Sequence, residues 1–315
     1  MQTDILIVGG GVSGLAMAAV AKKNFPDKTV LIVTEESPSQ DIVFHLHRPI
    51  ADLPELTDKK TIKFRSSVYT DSGITLTPTI KDINSYAEKV FNKLFITNCG
   101  NSPEFTIIPV GIQDIEKHLK TDNILYGKVT RVCPSEKIAI VDGSQVSYQY
   151  LISTIPLPIL LDICEIANDI KFENYPFYST KLSINSTEMY QQLYVTSMFN
   201  NITRVTLMDD SIYIESMEEF LTEEDIELLD EVWGINYLPN DIGNIRFKRV
   251  FPGRIRVLSN KIRKPIIHGL TEKYDIMVLG RFGSWSYKIF NDVWEDAKFL
   301  CKLIKDKEVS RSWIR

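Results

Sequence analysis

The stretch DILIVGGGVSG, residues 4–14, joins an unbroken apolar run to three glycines spaced G-x-G-x-x-G. The run is too short for a helix and has the composition of a parallel strand buried on both faces. Gly9, Gly11 and Gly14 lead into LAMAAVAKKN at 15–24, rich in helix formers, and then into a second apolar strand, TVLIV at 29–33. Strand, loop, helix and strand in this order predict a βαβ unit built around a dinucleotide. The first glycine permits the tight turn, the second lets backbone approach a pyrophosphate, and the third lets helix and strand pack closely. The helix N-terminus faces the phosphate charge. Glu35, 21 residues after Gly14, closes the second strand. There an acid accepts hydrogen bonds from a ribose hydroxyl, which favours an unphosphorylated ribose. Nicotinamide and flavin dinucleotides both satisfy this pattern.

A chain of 315 residues with 44% hydrophobic and 24% charged residues buries a sizeable core, and two domains are the default at this length. The net charge of −5 argues against broad binding to nucleic-acid backbones, which needs a clustered basic surface. Cys99, Cys133, Cys164 and Cys301 form no C-x-x-C pair, so reduced thiols and a cytoplasmic setting are expected. No signal-peptide pattern precedes Asp4. The longest apolar run, residues 151–163, contains two prolines and is too short to span a bilayer.

DIVFHLHRPI at 41–50 places His45 and His47 on one face if extended. No third ligand has a suitable spacing, so a metal is not expected; the two are solvated loop histidines, or belong to a loop lying over a cofactor ring. One short helix is predicted within 77–95, and a strand end, a turn and a helix within 107–119. Strands follow at 123–134, 137–143 and 145–158, the last two joined by the Asp142-Gly143 hairpin signal. Alternating strands over 178–216 predict an antiparallel sheet, then a Thr-capped helix at 222–234 and a strand within 244–259. That strand carries Arg246, Lys248, Arg249, Arg254 and Arg256, read either as a solvated sheet face or as a site for a small anionic group. YDIMVLG at 274–280 is another buried strand, entering GRFGSWSYKIFNDVWEDA at 280–297.

Four stretches together resemble the flavin-dependent amine oxidoreductases, in the subgroup of UDP-galactopyranose mutase and protoporphyrinogen oxidase. They are DILIVGGGVSGLAMA, IIPVGIQDIEKHL, YLISTIPLPILL and VLGRFGSWSYKIFNDVWEDA. The resemblance implies an α/β fold of GR2 type: a Rossmann-like FAD-binding domain assembled from residues 1–40, 105–160 and 271–315. It implies a second domain built on an antiparallel sheet from 41–104 and 161–270, with a reduced helical cap. By resemblance, Gly9, Gly11, Ser13 and Gly14 hold the pyrophosphate of FAD, Glu35 the adenosine ribose, and backbone around Val129 the adenine. Thr154, Gly280 and Arg281 join the cofactor set. Asp292 and Val293 match the start of a final helix whose acid and backbone N–H groups approach the ribityl chain and isoalloxazine. Such a helix end stabilises negative charge on a reduced flavin.

The double-glycine arginine segment expected soon after Glu35 is replaced here by ESPSQD and the histidine-bearing loop. Arg204, in ITRVTL, matches a family arginine on the substrate-domain sheet, and Arg249 and Arg254 complete the expected substrate-binding set. His45, His47, Trp285 and Tyr287 are the candidates beside the flavin; the last two wall the flavin, meet the substrate or pack in the core. The reading is an FAD-dependent oxidoreductase acting on a small polar substrate, with or without a phosphate, in an interdomain cleft, with no membrane partner. Its alternatives are a compact UDP-sugar mutase using reduced flavin N5, an oxidase or lyase acting on an amino-acid-modified nucleotide or nucleic-acid base, and a non-catalytic flavin-binding protein.

Overall fold

The computed structural model describes residues 1–36, 45–46, 50, 52, 61–91, 104–109, 123–185, 189–233 and 245–314. In chain order its elements begin β1 (Gln2–Val8), α1 (Val12–Asn24), β2 (Val30–Thr34), β3 (His45–Leu46), β4 (Ile62–Thr70) and β5 (Gly73–Thr75). Then come α2 (Ile80–Phe91), β6 (Glu104–Pro109), β7 (Ile124–Tyr126), β8 (Val129–Cys133), β9 (Ile138–Val141), β10 (Ser144–Ser153) and α3 (Leu157–Ile163). The next six are β11 (Asn174–Ser183), β12 (Tyr190–Val195), β13 (Ile202–Met208), β14 (Ser211–Ser216), α4 (Glu223–Trp233) and β15 (Lys248–Ile255). The last are α5 (Asn260–Tyr274), β16 (Ile276–Val278), α6 (Gly280–Gly283) and α7 (Phe290–Ile314). Among these, no helix is long and apolar enough to cross a membrane.

The chain divides into two compact units, residues 1–40, 110–173 and 255–315, and residues 41–109 and 174–254. In the first, parallel strands run in the order β7-β2-β1-β10-β16. The first residues of β10 extend the same sheet by pairing antiparallel with β9, which pairs antiparallel with β8. Leu6, Val8, Leu31, Val33, Leu151, Ile276 and Val278 share one hydrophobic cluster with residues of β8, β9, α3 and α5. Alternation along strands buried on both faces leaves Ile5, Ile7, Ile32 and Ile152 for the other side, and each is no more than 1% exposed. There α1 packs on β1, β2 and α7.

The second unit is a sheet ordered β15-β11-β14-β13-β12-β4-β6-β3, with β5 on β4. From β11 to β3 the pairings are antiparallel except that β12 runs parallel to β4. One face, through Leu193, Val205, Leu207, Ile212 and Ile214, packs against Leu228 and Leu229 of α4. Helix α4 begins with a reciprocal cap: Thr222 N–H donates to Asp225 Oδ2 at 3.0 Å and Asp225 N–H to Thr222 Oγ1 at 3.3 Å.

Several expectations are corrected. Residues 161–173 and 255–270 belong to the first unit, because Leu161, Cys164, Phe172, Ile255 and Leu270 pack in its core cluster. Residues 105–109 belong to the second, because β6 pairs with β4. The strand expected to reach 158 ends at Ser153, and Pro156 and Pro158 open helix α3 instead, where a missing N–H costs nothing. The helix expected within 107–119 falls outside the described residues from 110 onward.

Helix α5 ends at Asp275 in the left-handed conformation, φ 54°. Its carboxylate accepts hydrogen bonds from Lys137 at 2.7 Å, Arg311 at 2.5 Å and Lys307 at 3.3 Å, tying the β9, β16 and α7 segments together. Burial alone raises its pKa; the bonds and charges of Lys137 and Arg311 override that and hold it below its ordinary value. A depressed folded-state pKa gives stability that is present above the unfolded value of about 3.8 and lost as pH falls through the folded one. Asp275→Asn keeps a side chain that tolerates φ > 0 and removes the charge. Denaturant unfolding at neutral pH should therefore show a loss of about 2 kcal/mol, an intermediate cost because the cations remain partly solvated. The gap to wild type should close at strongly acidic pH; a gap that persists there would show that the charge is not its source.

Candidate dinucleotide site at the carboxyl edge of the parallel sheet

Four parallel strands end abreast. Val8 is in register with Val33 and with Ser153, and Ser153 with Val278. The chain therefore leaves the sheet at one edge through Gly9, Thr34, Thr154 and Leu279. Ligands of open α/β sheets bind at such carboxyl edges, where connections diverge to opposite sides. Here β1 leads through α1 to β2 on one side, while β10 and β16 lie on the other.

Backbone bonds fix this edge. Gly9 N–H donates to Val33 O at 2.8 Å, Thr154 N–H to Val8 O at 2.9 Å and Leu279 N–H to Ser153 O at 2.9 Å. The Thr154 hydroxyl lies 3.1 Å from the carbonyls of both Val8 and Gly9. A Cβ on Gly14 would stand 1.9 Å from Gly9 O, so only glycine lets the first turn of α1 rest on the loop. At Gly11 the reverse holds: a Cβ there would meet nothing within 4 Å. Helix α1 has no side-chain N-cap and no acid in its first turn, so neither supplies its leading N–H groups with a partner. An open approach to an uncapped helix end fits a pyrophosphate.

The sequence-distant parts of the candidate set meet on this unit. Gly280, φ +83°, comes so close to α1 that a Cβ would be 2.3 Å from Ser13 Oγ. Glu35 is exposed at the end of β2, with Lys128 Nζ 4.0 Å from its carboxylate. Gly127 N–H donates to Thr34 O at 2.8 Å, which sets Val129, partly buried at the start of β8, beside the same end. The Arg281 guanidinium stacks 5.1 Å from the Tyr287 ring centroid and donates to Lys288 O at 3.2 Å. Asp292 Oδ2 accepts Ile289 N–H at 3.1 Å, the reach-back of a capping box, and fixes the start of α7 next to buried Val293.

Trp285 is not a wall of an open site. It is 1% exposed, sits in the core cluster and packs edge-on to Phe172 at 5.1 Å. Its φ of +47° is held by the turn in which Ser284 and Ser286 N–H groups bond to Gly280 and Arg281 carbonyls. Tyr287, by contrast, is 57% exposed. His45 lies opposite Pro109 in β3, and His47 lies outside the described residues.

In the second unit Arg204 and Arg254 both bind Glu215, and Arg254 also donates to Thr203 Oγ1 at 2.8 Å. Burial raises the Glu215 pKa, but the two guanidiniums outweigh it and hold the carboxyl below the usual range. Phe177 covers Arg254 at 5.2 Å. Arg249 is exposed on the same strand and is not among the cations on Glu215. Glu215 was readable in SIYIES, where alternation sets it with Tyr213 opposite Ile212 and Ile214.

No protein-family model matches the sequence, and no curated protein matches it significantly. Solved structures match along nearly the whole chain. Reduced UDP-galactopyranose mutase gives a TM-score of 0.67 at 14% identity, over 96% of both chains. A protein of Exiguobacterium sp. 255-15, provisionally assigned as a protoporphyrinogen oxidase, gives 0.65 at 12%, over 97% of this chain and 99% of its own. Putrescine oxidase bound to putrescine gives 0.56 at 12%, over 97% and 99%. The chain shares the fold of these structures, an α/β unit on a mixed, mainly parallel sheet with a second, mostly antiparallel sheet.

Gly11→Val separates binding from folding. Because its side chain points into open space, the melting temperature of the cofactor-free protein should stay within about 2 °C of wild type. Dinucleotide retained through gel filtration should fall about tenfold or more. Full retention would remove the pyrophosphate from this loop.

Proposed function

We propose that the chain is an FAD-dependent oxidoreductase of the amine-oxidase type acting on a small polar substrate. The observation that carries this reading is the convergence of Gly11, Ser13 and Gly280 on one open, uncapped helix end at the carboxyl edge of the sheet. In such a site the first N–H groups of α1, with Ser13, would take the pyrophosphate, and Glu35 would accept from the adenosine ribose. Backbone near Val129 would flank the adenine. The start of α7, at Asp292 and Val293, would face the ribityl and ring end, where its positive dipole end favours negative charge; the Val293 N–H itself is donated to Ile289 O at 3.1 Å. When bound, flavin supplies two-electron hydride chemistry, and the protein supplies orientation and electrostatics.

A mutase reading is supported by the likeness to UDP-galactopyranose mutase. Against it stands Glu215: with both Arg204 and Arg254 bound to one carboxylate, only one positive charge of the pair is left for a diphosphate. The oxidoreductase reading is therefore preferred.

The purified protein should show the visible absorbance of an oxidised flavin, bleach on anaerobic addition of a small amine or related donor, and recover with oxygen or another acceptor. Arg281→Ala or Asp292→Asn should lose flavin on gel filtration, whereas Arg204→Ala should keep it and lose turnover. Protein that is colourless, releases no flavin on denaturation and takes up no added FAD would end the proposal. Turnover of a UDP-sugar only after reduction, without net electron use, would transfer it to the mutase.

A further inference from the structure

The loop at 196–201, between β12 and β13, carries large apolar side chains outward. Met198 is 64% exposed and Phe199 76%, and Phe220, just beyond β14, is 56% exposed. This backbone is firmly held. Buried Lys89 on α2 donates to the carbonyls of Val195 at 3.3 Å, Ser197 at 2.6 Å and Ile202 at 2.7 Å. Asp225 Oδ1 accepts Ile202 N–H at 3.0 Å. Asn200 Nδ2 donates to Glu224 O at 2.8 Å, and Met217 N–H to Asn201 O at 3.1 Å. The last two bonds set the loop beside the segment 217–224, which carries Phe220 between its two bonded ends. Apolar groups already fixed on rigid backbone lose little further entropy on binding, the property of a preorganised anchor.

The adjoining segment carries charge of one sign. Residues 217–233, MEEFLTEEDIELLDEVW, contain eight acids and no lysine or arginine, more negative charge than the whole chain's net −5. Glu218, Glu219, Glu223, Glu224 and Glu227 are exposed. We propose that Met198, Phe199 and Phe220 form a docking surface for a basic protein segment that sets apolar side chains between lysines or arginines. The apolar anchors supply affinity, and the glutamates supply attraction at a distance and select the sign of the partner. The same glutamates repel the anionic lipids that attract basic surface segments. A second copy docking through its basic strand β15 would make a head-to-tail contact, which builds rings or open filaments, so self-association is an outcome the test separates from a distinct partner.

The test uses the full chain and a labelled amphipathic peptide of leucine and lysine, followed by fluorescence anisotropy beside a leucine–glutamate peptide and a lysine-only peptide. Only the leucine–lysine peptide should bind well, more weakly as salt rises. Phe199→Ser with Phe220→Ser should weaken it about tenfold, a loss of anchor contacts, without changing melting temperature or flavin content. Glu218→Lys with Glu219→Lys should weaken it as well, which guards against a folding defect in the first variant. Binding that is equal in wild type and the serine variant overturns the proposal. So does binding to phosphatidylcholine vesicles that the serine variant loses, which assigns the patch to a lipid surface. Concentration-dependent self-association lost in that variant would assign it to a second copy.

Discussion

The parallel register of β1, β2, β10 and β16 is the constraint on which the candidate site depends. Because Val8, Val33, Ser153 and Val278 stand abreast, chain segments from the beginning, middle and end of the sequence leave the sheet along one edge. A slip of one residue in any pair would exchange that strand's two buried faces, setting Ile5 and Ile7 where Leu6 and Val8 pack, so the close packing of each face holds the register that the site uses. The glycines follow from it. Once β1 and β16 end level with each other, the backbone of the last turn has to pass against α1, and Gly280 beside Ser13 is the residue that permits it.

The sequence was most legible where signals were local. Strand, glycine loop, helix and acid fall within residues 4–35, and each has its own composition cue. Long-range closure was legible only through the resemblance of the final stretch. Two elements escaped, each for its own reason. In 151–163 a continuous apolar run has neither period, so the strand-to-helix change at Thr154 to Pro156 was read as more strand. In α5, Pro265 and Gly269 are poor helix residues; burial of Leu270 and packing against β16 override them.

Side chains are least legible where their partners lie far along the chain. Trp285 stands in a polar, glycine-flanked loop, the setting of an exposed aromatic, yet its ring fills the core against Phe172. Arg204 and Arg254 counted as available positive charge until Glu215 was seen between them. Lys89 looks solvated in the helix pattern, but three carbonyls replace its water. A formal charge in a sequence is therefore an upper bound on the charge a ligand meets, because burial selects for compensation.

The same distinction explains how far a shared fold carries at 12–14% identity. The contacts proposed for the dinucleotide come from backbone N–H groups, a helix end and close glycine approaches, all of which survive replacement of nearly every other side chain. Contacts that choose a substrate come from side chains on a sheet, and these change freely while its hydrogen-bond ladder is kept. A shared fold thus preserves the backbone geometry of the proposed dinucleotide contacts more readily than the side chains that would choose a substrate. The Arg204–Glu215–Arg254 cluster makes the point in this chain: the β13–β14 pairing that brings Arg204 opposite Glu215 belongs to the sheet, whereas the charge it presents belongs to these residues alone.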